Sequence, residues 1–214
     1  VEEASGAEGA EYHLVLDQPA GERGVAALDA MAARRRQGEP LQYVLGRWGF
    51  RSLDLFVDPR VLIPRPETEV VAGFAIDEID RADLRTVVDL GTGSGALGLS
   101  IAVERPATTV WATDRSRDAL SVARANLAGT GRAAARVTLA EGSWYEALPR
   151  DLVASVDLVV SNPPYVAAGD ALPDLVADWE PTGALIAGPE GTEDLRVVLE
   201  GAVRWLSARG VVVV

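Results

Sequence analysis

The four residues Asn162-Pro163-Pro164-Tyr165 follow the apolar run Val156-Asp157-Leu158-Val159-Val160-Ser161. Consecutive prolines remove two backbone N–H donors and stop any helix, so a strand is expected to end at this corner. The Pro163 carbonyl is then free to accept a hydrogen bond. The Asn162 side chain adds an amide oxygen, and Tyr165 adds an aromatic face. Together they form a cradle for a planar group that carries an NH2. An amide or aryl NH2 is a poor nucleophile because its lone pair is delocalised, so it needs orientation and acceptors more than a strong base. Two acceptors would hold the nitrogen in line with an electrophilic methyl group. They would also stabilise the positive charge that develops on nitrogen. The plain alternative is a rigid strand-to-loop turn.

A second constellation lies upstream. Residues 87–98 read as strand, glycine turn and helix, with Gly91-Thr92-Gly93-Ser94-Gly95 as the turn. Glycines let the backbone approach a ligand and adopt positive φ, and the following helix N-terminus offers unpaired N–H groups. Two ligands fit. Gly93, Gly95 and Gly98 match the dinucleotide spacing G-x-G-x-x-G, which would make the chain an NAD-dependent oxidoreductase. Asp89-Leu90-Gly91-Thr92-Gly93-Ser94-Gly95 matches the acidic-x-G-x-G-x-G pattern of enzymes that use S-adenosylmethionine (SAM). Asp114, after Val110-Trp111-Ala112-Thr113, stands where a carboxylate would grip a ribose diol in either cofactor; otherwise it caps the next helix. The Asn-Pro-Pro-Tyr corner separates the two, because it has no part in hydride transfer and an immediate one in methyl transfer to a planar NH2.

These residues need a scaffold. Strand patterns at 86–90, 108–113, 136–139, 156–161 and 210–214 alternate with helical patterns at 96–103, 116–127 and 194–206, joined by short turns. That alternation argues for an α/β, doubly wound, Rossmann-like parallel sheet covered on both faces. Ahead of it, Pro66 and the acids Glu67 and Glu69 suit a helix N-terminus. Residues 41–63 alternate apolar and polar around glycines, as a β-hairpin does. Residues 23–36 carry a helical pattern ended by Arg34-Arg35-Arg36, Gly38 and Pro40. The arginine run is a contact for an acidic partner or, more simply, favourable charge in a last helical turn. The expected organisation is a partial N-terminal helical domain at 1–40, a β-hairpin linker at 41–63 and the sheet domain at 64–214. Gly210-Val211-Val212-Val213-Val214 reads as a buried strand cut short, so the C-terminal strands are expected to be truncated and the chain to be a fragment of a longer gene product.

Composition narrows the classes. The 214 residues are 48% hydrophobic, enough for a sizeable core. A net charge of −12 and a pI near 4.5 speak against a broad phosphate-binding surface. The absence of cysteine excludes disulfides and thiolate metal sites. The single histidine, His13, sits in a polar stretch and reads as a solvated side chain, so no metal is expected. No run approaches the ~20 apolar residues of a membrane span. A cytoplasmic protein is the expectation.

Several separated stretches resemble, in order, the release-factor glutamine N5-methyltransferases of the PrmC/HemK type. They are Pro40-Leu41-Gln42-Tyr43-Val44-Leu45-Gly46, Leu62-Ile63-Pro64-Arg65-Pro66-Glu67-Thr68-Glu69, Asp89-Leu90-Gly91-Thr92-Gly93-Ser94-Gly95 and Asn162-Pro163-Pro164-Tyr165. Glu180-Pro181, Ala184-Leu185, Gly188 and Gly191 also look like the family. The Asn-Pro-Pro-Tyr element alone is shared with adenine-N6 methyltransferases. The resemblance implies a SAM-dependent methyltransferase domain behind a small helical domain and a hairpin. It implies that Gly91, Thr92, Gly93, Ser94 and Gly95 hold the methionine end of SAM, Asp114 the ribose, and that Trp144 sits by the adenine. Asn162, Pro163, Pro164 and Tyr165 would bind the substrate glutamine, with Asn162, Pro163 and Tyr165 catalytic and Asn162 close to SAM as well. Arg65 and Glu67 would line the site. The implied partner is a peptide-chain release factor, methylated at the glutamine of a Gly-Gly-Gln motif. The rivals are an adenine-N6 methyltransferase on DNA or RNA, the oxidoreductase above, and a binding module of the same fold without turnover.

Overall fold

The computed structural model describes residues 1–7 and 9–214. The chain divides into two compact units, Val1–Gly46 and Arg47–Val214.

The first unit is helical: α1 (Glu2–Ser5), α2 (Ala10–Val15), α3 (Glu22–Arg36) and α4 (Leu41–Leu45). The arginines that end α3 are used inside this unit. Arg34 pairs with Glu39 through Nε (2.7 Å) and a terminal nitrogen (2.5 Å), and it also donates to the carbonyls of Tyr43 (2.9 Å) and Val44 (3.1 Å). Arg35 donates to the Glu39 carbonyl. Residues 41–45, expected to open a hairpin, form α4 instead. Gly46 closes this turn in the left-handed region (φ 70°) and donates its amide to Gln42 O at 2.8 Å. One turn of helix with two buried residues, Tyr43 and Val44, is too short for its period to show against an alternating pattern.

The second unit opens with an antiparallel hairpin, β1 (Arg47–Phe50) and β2 (Leu53–Phe56), with Arg47 opposite Phe56. Helix α5 (Pro66–Ala82) follows, with Pro66 in its first turn, where a missing N–H costs nothing. Next come β3 (Thr86–Leu90), α6 (Ala96–Glu104), β4 (Thr109–Asp114), α7 (Arg117–Gly129), β5 (Val137–Glu141) and β6 (Val156–Ser161). A short parallel pair, β7 (Val166–Ala167) and β8 (Ile186–Gly188), encloses α8 (Asp174–Ala177). Helix α9 (Glu193–Trp205) and β9 (Leu206–Val213) complete the unit.

The central sheet has the order β5-β4-β3-β6-β9, and every neighbouring pair in it is parallel. Both faces are covered, as a parallel sheet requires. Val88 and Leu90 of β3 face a core with Tyr145, Val159, Val198, Ala202 and Trp205. Val87 and Asp89, one residue out of phase, face α6. The chain runs outward from β3 through β4 to β5, then returns to place β6 on the other side of β3. A crevice opens beyond the carboxyl ends of strands at such a switch point. The loops after β3, β4 and β6 all reach it.

Candidate active site

The loop after β3 is shaped by three glycines in left-handed conformations, Gly91 (φ 71°), Gly93 (φ 56°) and Gly95 (φ 90°), where an L side chain would be strained. Gly91 N and Thr92 N both donate to Thr113 O at 2.9 Å, which fastens the loop to β4. Gly93 N donates to Asp114 Oδ2 at 2.9 Å. Beneath the loop Asp89 is fully buried, and its Oδ2 accepts from Thr92 Oγ1 (2.6 Å) and from Gly98 N (2.9 Å). Burial pushes the Asp89 carboxyl up to about 6 against those two hydrogen bonds, and the Asp114 charge pushes the same way. A Cβ on Gly98 would stand 2.9 Å from Asp89 Oδ2. The third glycine of the G-x-G-x-x-G spacing therefore leaves room for the acid of the other motif.

Asp114 ends β4. Its Oδ1 accepts from Ser116 N at 2.9 Å, and Ser116 Oγ in turn accepts from Ala119 N at 3.1 Å to cap α7. The Asp114 carboxylate thus supports the start of α7 and, on the same side chain, lines the cavity beside the glycine loop. Trp144 lies over Gly91: a Cβ there would be 3.6 Å from the Trp144 ring. On α7, Ala119, Leu120, Val122 and Ala123 are buried together with Asn126. Asn126 Nδ2 donates to Ser94 O (2.8 Å) and to Phe56 O (3.0 Å), and Phe56 N donates to Asn126 Oδ1 (2.7 Å). One side chain thus ties the glycine loop to the hairpin. Sequence reading assigned it no role. The signal was an asparagine on the buried stripe of an amphipathic helix.

The third wall comes from β6, which is buried throughout. Ser161 Oγ donates to Leu90 O at 2.7 Å, so the ends of β6 and β3 are joined. Asn162 follows, partly buried, with Nδ2 donating to Thr68 Oγ1 at 3.2 Å. Pro163 is buried. Among the described residues no hydrogen bond reaches its carbonyl. Thr68 is itself buried in the first turn of α5. The segment before it is clamped by Glu180, which accepts from Ile63 N (3.1 Å) and from Arg65 (2.5 Å) with its own side chain 2% exposed.

A cavity of about 220 Å³ lies between these walls, many times the ~10–15 Å³ that a single water needs. Gly91, Thr92, Gly93, Ser94, Asp114, Trp144, Asn162 and Pro164 line it, opposed by Val61, Leu62, Pro64 and Thr68, with Arg115 and Gly183 at its edge. Arg115 donates to Gly183 O at 2.9 Å. Gly95, Pro163 and Tyr165 lie off the lining, and the Tyr165 side chain is 69% exposed. Arg65 is engaged by Glu180 rather than facing the cavity, and Glu67 is exposed. The described residues hold no cluster of His, Cys, Asp or Glu suited to a metal ion, and no helix long and apolar enough to cross a membrane.

Residues 70–179 match the methyltransferase small domain, and residues 1–46 match the PrmC N-terminal domain. A release factor glutamine methyltransferase of Xylella fastidiosa (strain 9a5c) is 43% identical over 197 residues, which cover 91% of this chain and 69% of that protein. One from Burkholderia pseudomallei (strain K96243) is 42% identical over 91% of this chain and 69% of the relative. Among solved structures, the hMettl16 catalytic domain bound to MAT2A 3'UTR hairpin 6 has a TM-score of 0.54 at 17% identity, over 76% of this chain and 60% of that one. That likeness shows the fold. The family matches and the identities to these relatives together carry the assignment: the chain belongs to the release factor glutamine methyltransferase family.

Proposed function

We propose that this protein transfers a methyl group from SAM to the side-chain amide nitrogen of a glutamine in a peptide-chain release factor, the glutamine of its Gly-Gly-Gln motif. The observation that carries the reading is the shared wall: Asn162 and Pro164, on either side of Pro163, line the same cavity as the glycine loop and Asp114. The relatives' names support a release factor as substrate and, with it, work in the cytoplasm.

The residues present fit SAM. The glycine loop offers backbone free of side chains, Asp114 offers a carboxylate at the second strand end, and Trp144 offers an aromatic wall beside Gly91. Gly91, Thr92, Gly93 and Ser94 would hold the methionine end, with Gly95 shaping the turn; Asp114 would hold the ribose and Trp144 would flank the adenine. SAM supplies an electrophilic sulfonium methyl. The chain's part is to present the nucleophile. Asn162 Oδ1 and the Pro163 carbonyl oxygen accept the two amide N–H bonds of the glutamine. This orients the nitrogen lone pair and stabilises the positive charge that builds on nitrogen as the new N–C bond forms. The sulfonium–methyl bond would break as the N–C bond forms, its electrons staying on sulfur, and one proton would pass from nitrogen to water, leaving N5-methylglutamine and S-adenosylhomocysteine. Tyr165, exposed just past the corner, would be available to cover the amide plane of an arriving substrate.

Incubation with methyl-labelled SAM and release factor tests the reading. Label is expected in the Gly-Gly-Gln glutamine and to be lost in Asn162→Ala. Label in DNA or RNA instead, or intact labelling by Asn162→Ala, overturns it.

A further inference from the structure

We infer that Thr68 is a positioning residue that, by accepting from the Asn162 Nδ2, holds the carboxamide with its oxygen end toward the cavity. The inference rests on the reading of Asn162 given above.

A carboxamide has two ends of nearly equal shape and opposite hydrogen-bonding sense. Rotation about its terminal bond is soft, so sterics alone select neither end. An incoming NH2 needs the oxygen end; the nitrogen end would set a donor against a donor. In this protein the nitrogen end is already engaged, with Asn162 Nδ2 donating to Thr68 Oγ1 at 3.2 Å. That leaves Oδ1 as the end available to a substrate.

Thr68 is well held for this task. It is 6% exposed and lies in the first turn of α5. Its amide donates to Arg65 O at 3.0 Å. The preceding segment is fixed by the Glu180 carboxylate through both Ile63 and Arg65. The Asn162 backbone is equally restrained, between the β6 ladder and two prolines. The hydroxyl and the carboxamide thus meet from two elements 94 residues apart in the chain, with little freedom on either side.

The chain contains two asparagines, Asn126 and Asn162, so selective 15N-asparagine labelling of the whole protein gives two side-chain amide signals. Asn126 reports the fold, because its carboxamide is bonded to Ser94 and Phe56. In Thr68→Val the Asn162 pair is expected to move and exchange faster with solvent while the Asn126 pair stays in place. On release factor, kcat is expected to fall about tenfold with KM for SAM within about twofold, the pattern of a contact felt mainly in the transition state. Thr68→Ser restores both signals and rate. An unmoved Asn162 pair with kcat within about twofold of wild type, or a serine variant as impaired as the valine one, overturns the inference. If valine disturbs the Asn126 pair too, Thr68→Ala is read by the same signals and decides in the same way. A wild-type protein that labels no release factor refutes the proposed function instead, and the amide signals still test the hydrogen bond.

Discussion

Asn126 and Ser94 are joined by a 2.8 Å hydrogen bond from the Asn126 Nδ2 to the Ser94 carbonyl, which couples the last turn of α7 to the glycine loop. The same carboxamide also exchanges two bonds with the Phe56 backbone. Asn126→Ala is expected to remove all three and to leave Phe56 N and the Ser94 carbonyl short of partners. The cost is about 2–3 kcal/mol of folding stability, read by urea denaturation. Loss of the Ser94 anchor loosens the loop, so the Kd for SAM should rise several-fold by calorimetry. Asn126→Asp should be at least as damaging, because it turns a donor to two carbonyls into a buried negative charge facing them.

What was legible in the sequence follows the range of the interactions. The glycine loop, the acid at the end of β4 and the Asn-Pro-Pro corner each impose local backbone requirements, so spacing alone set them on the strand ends where they stand. Pro66 and its neighbouring acids marked the start of α5 for the same reason. Thr68, Glu180 and Asn126 were not legible as site residues, because their partners lie 94, 117 and 70 positions away. A polar residue on a buried stripe is visible in sequence; its partner is not. Strands β7 and β8, with two and three residues, are held by register against each other and leave no periodic trace.

Gly98 should tolerate no side chain. A Cβ would lie 2.9 Å from Asp89 Oδ2, 3.2 Å from Asp89 Cβ and 3.2 Å from Val110 Cγ1, with strand β3 and strand β4 both fixed behind them. Gly98→Ala is expected to cost about 1–3 kcal/mol, the usual range for overpacking a core. Since part of that cost is displacement of Asp89, Gly98→Ala in an Asp89→Ala background should cost measurably less, a coupling that a double-mutant cycle reads directly.

The Asp89 carboxyl gives stability a pH dependence of unusual sign. Its value in the fold is about 6 against 3.8 for the free side chain, because of burial first and the Asp114 charge in addition. Between these values the folded chain binds a proton that the unfolded chain has released, so this group's contribution falls as pH rises. It is fully present below about pH 4 and lost above about pH 6, a span of up to ~3 kcal/mol. Denaturation midpoints across that window should show wild type declining relative to Asp89→Asn, which lacks the titration. Asp114→Asn, by removing a like charge, should move the decline to lower pH.

The Arg65–Glu180 pair should respond asymmetrically to its two deletions. Glu180 is almost wholly enclosed while Arg65 keeps 31% of its side chain exposed. Removing the arginine strands a buried carboxylate with only the Ile63 amide, whereas Glu180→Gln keeps an oxygen for that amide and lets the guanidinium turn to water. Arg65→Ala is therefore expected to cost about 2–4 kcal/mol and Glu180→Gln about 1 kcal/mol. The double variant should be more stable than Arg65→Ala alone, because neutralising the carboxylate removes the unpaired charge. Denaturant unfolding of the four proteins measures this, and equal penalties for the two single variants would mean that the carboxylate is better solvated than its enclosure implies. The clamp holds the segment that carries Thr68, so Arg65→Ala should also lower methylation of release factor in the same direction as Thr68→Val, while Glu180→Gln, which keeps Ile63 tethered, should lower it less.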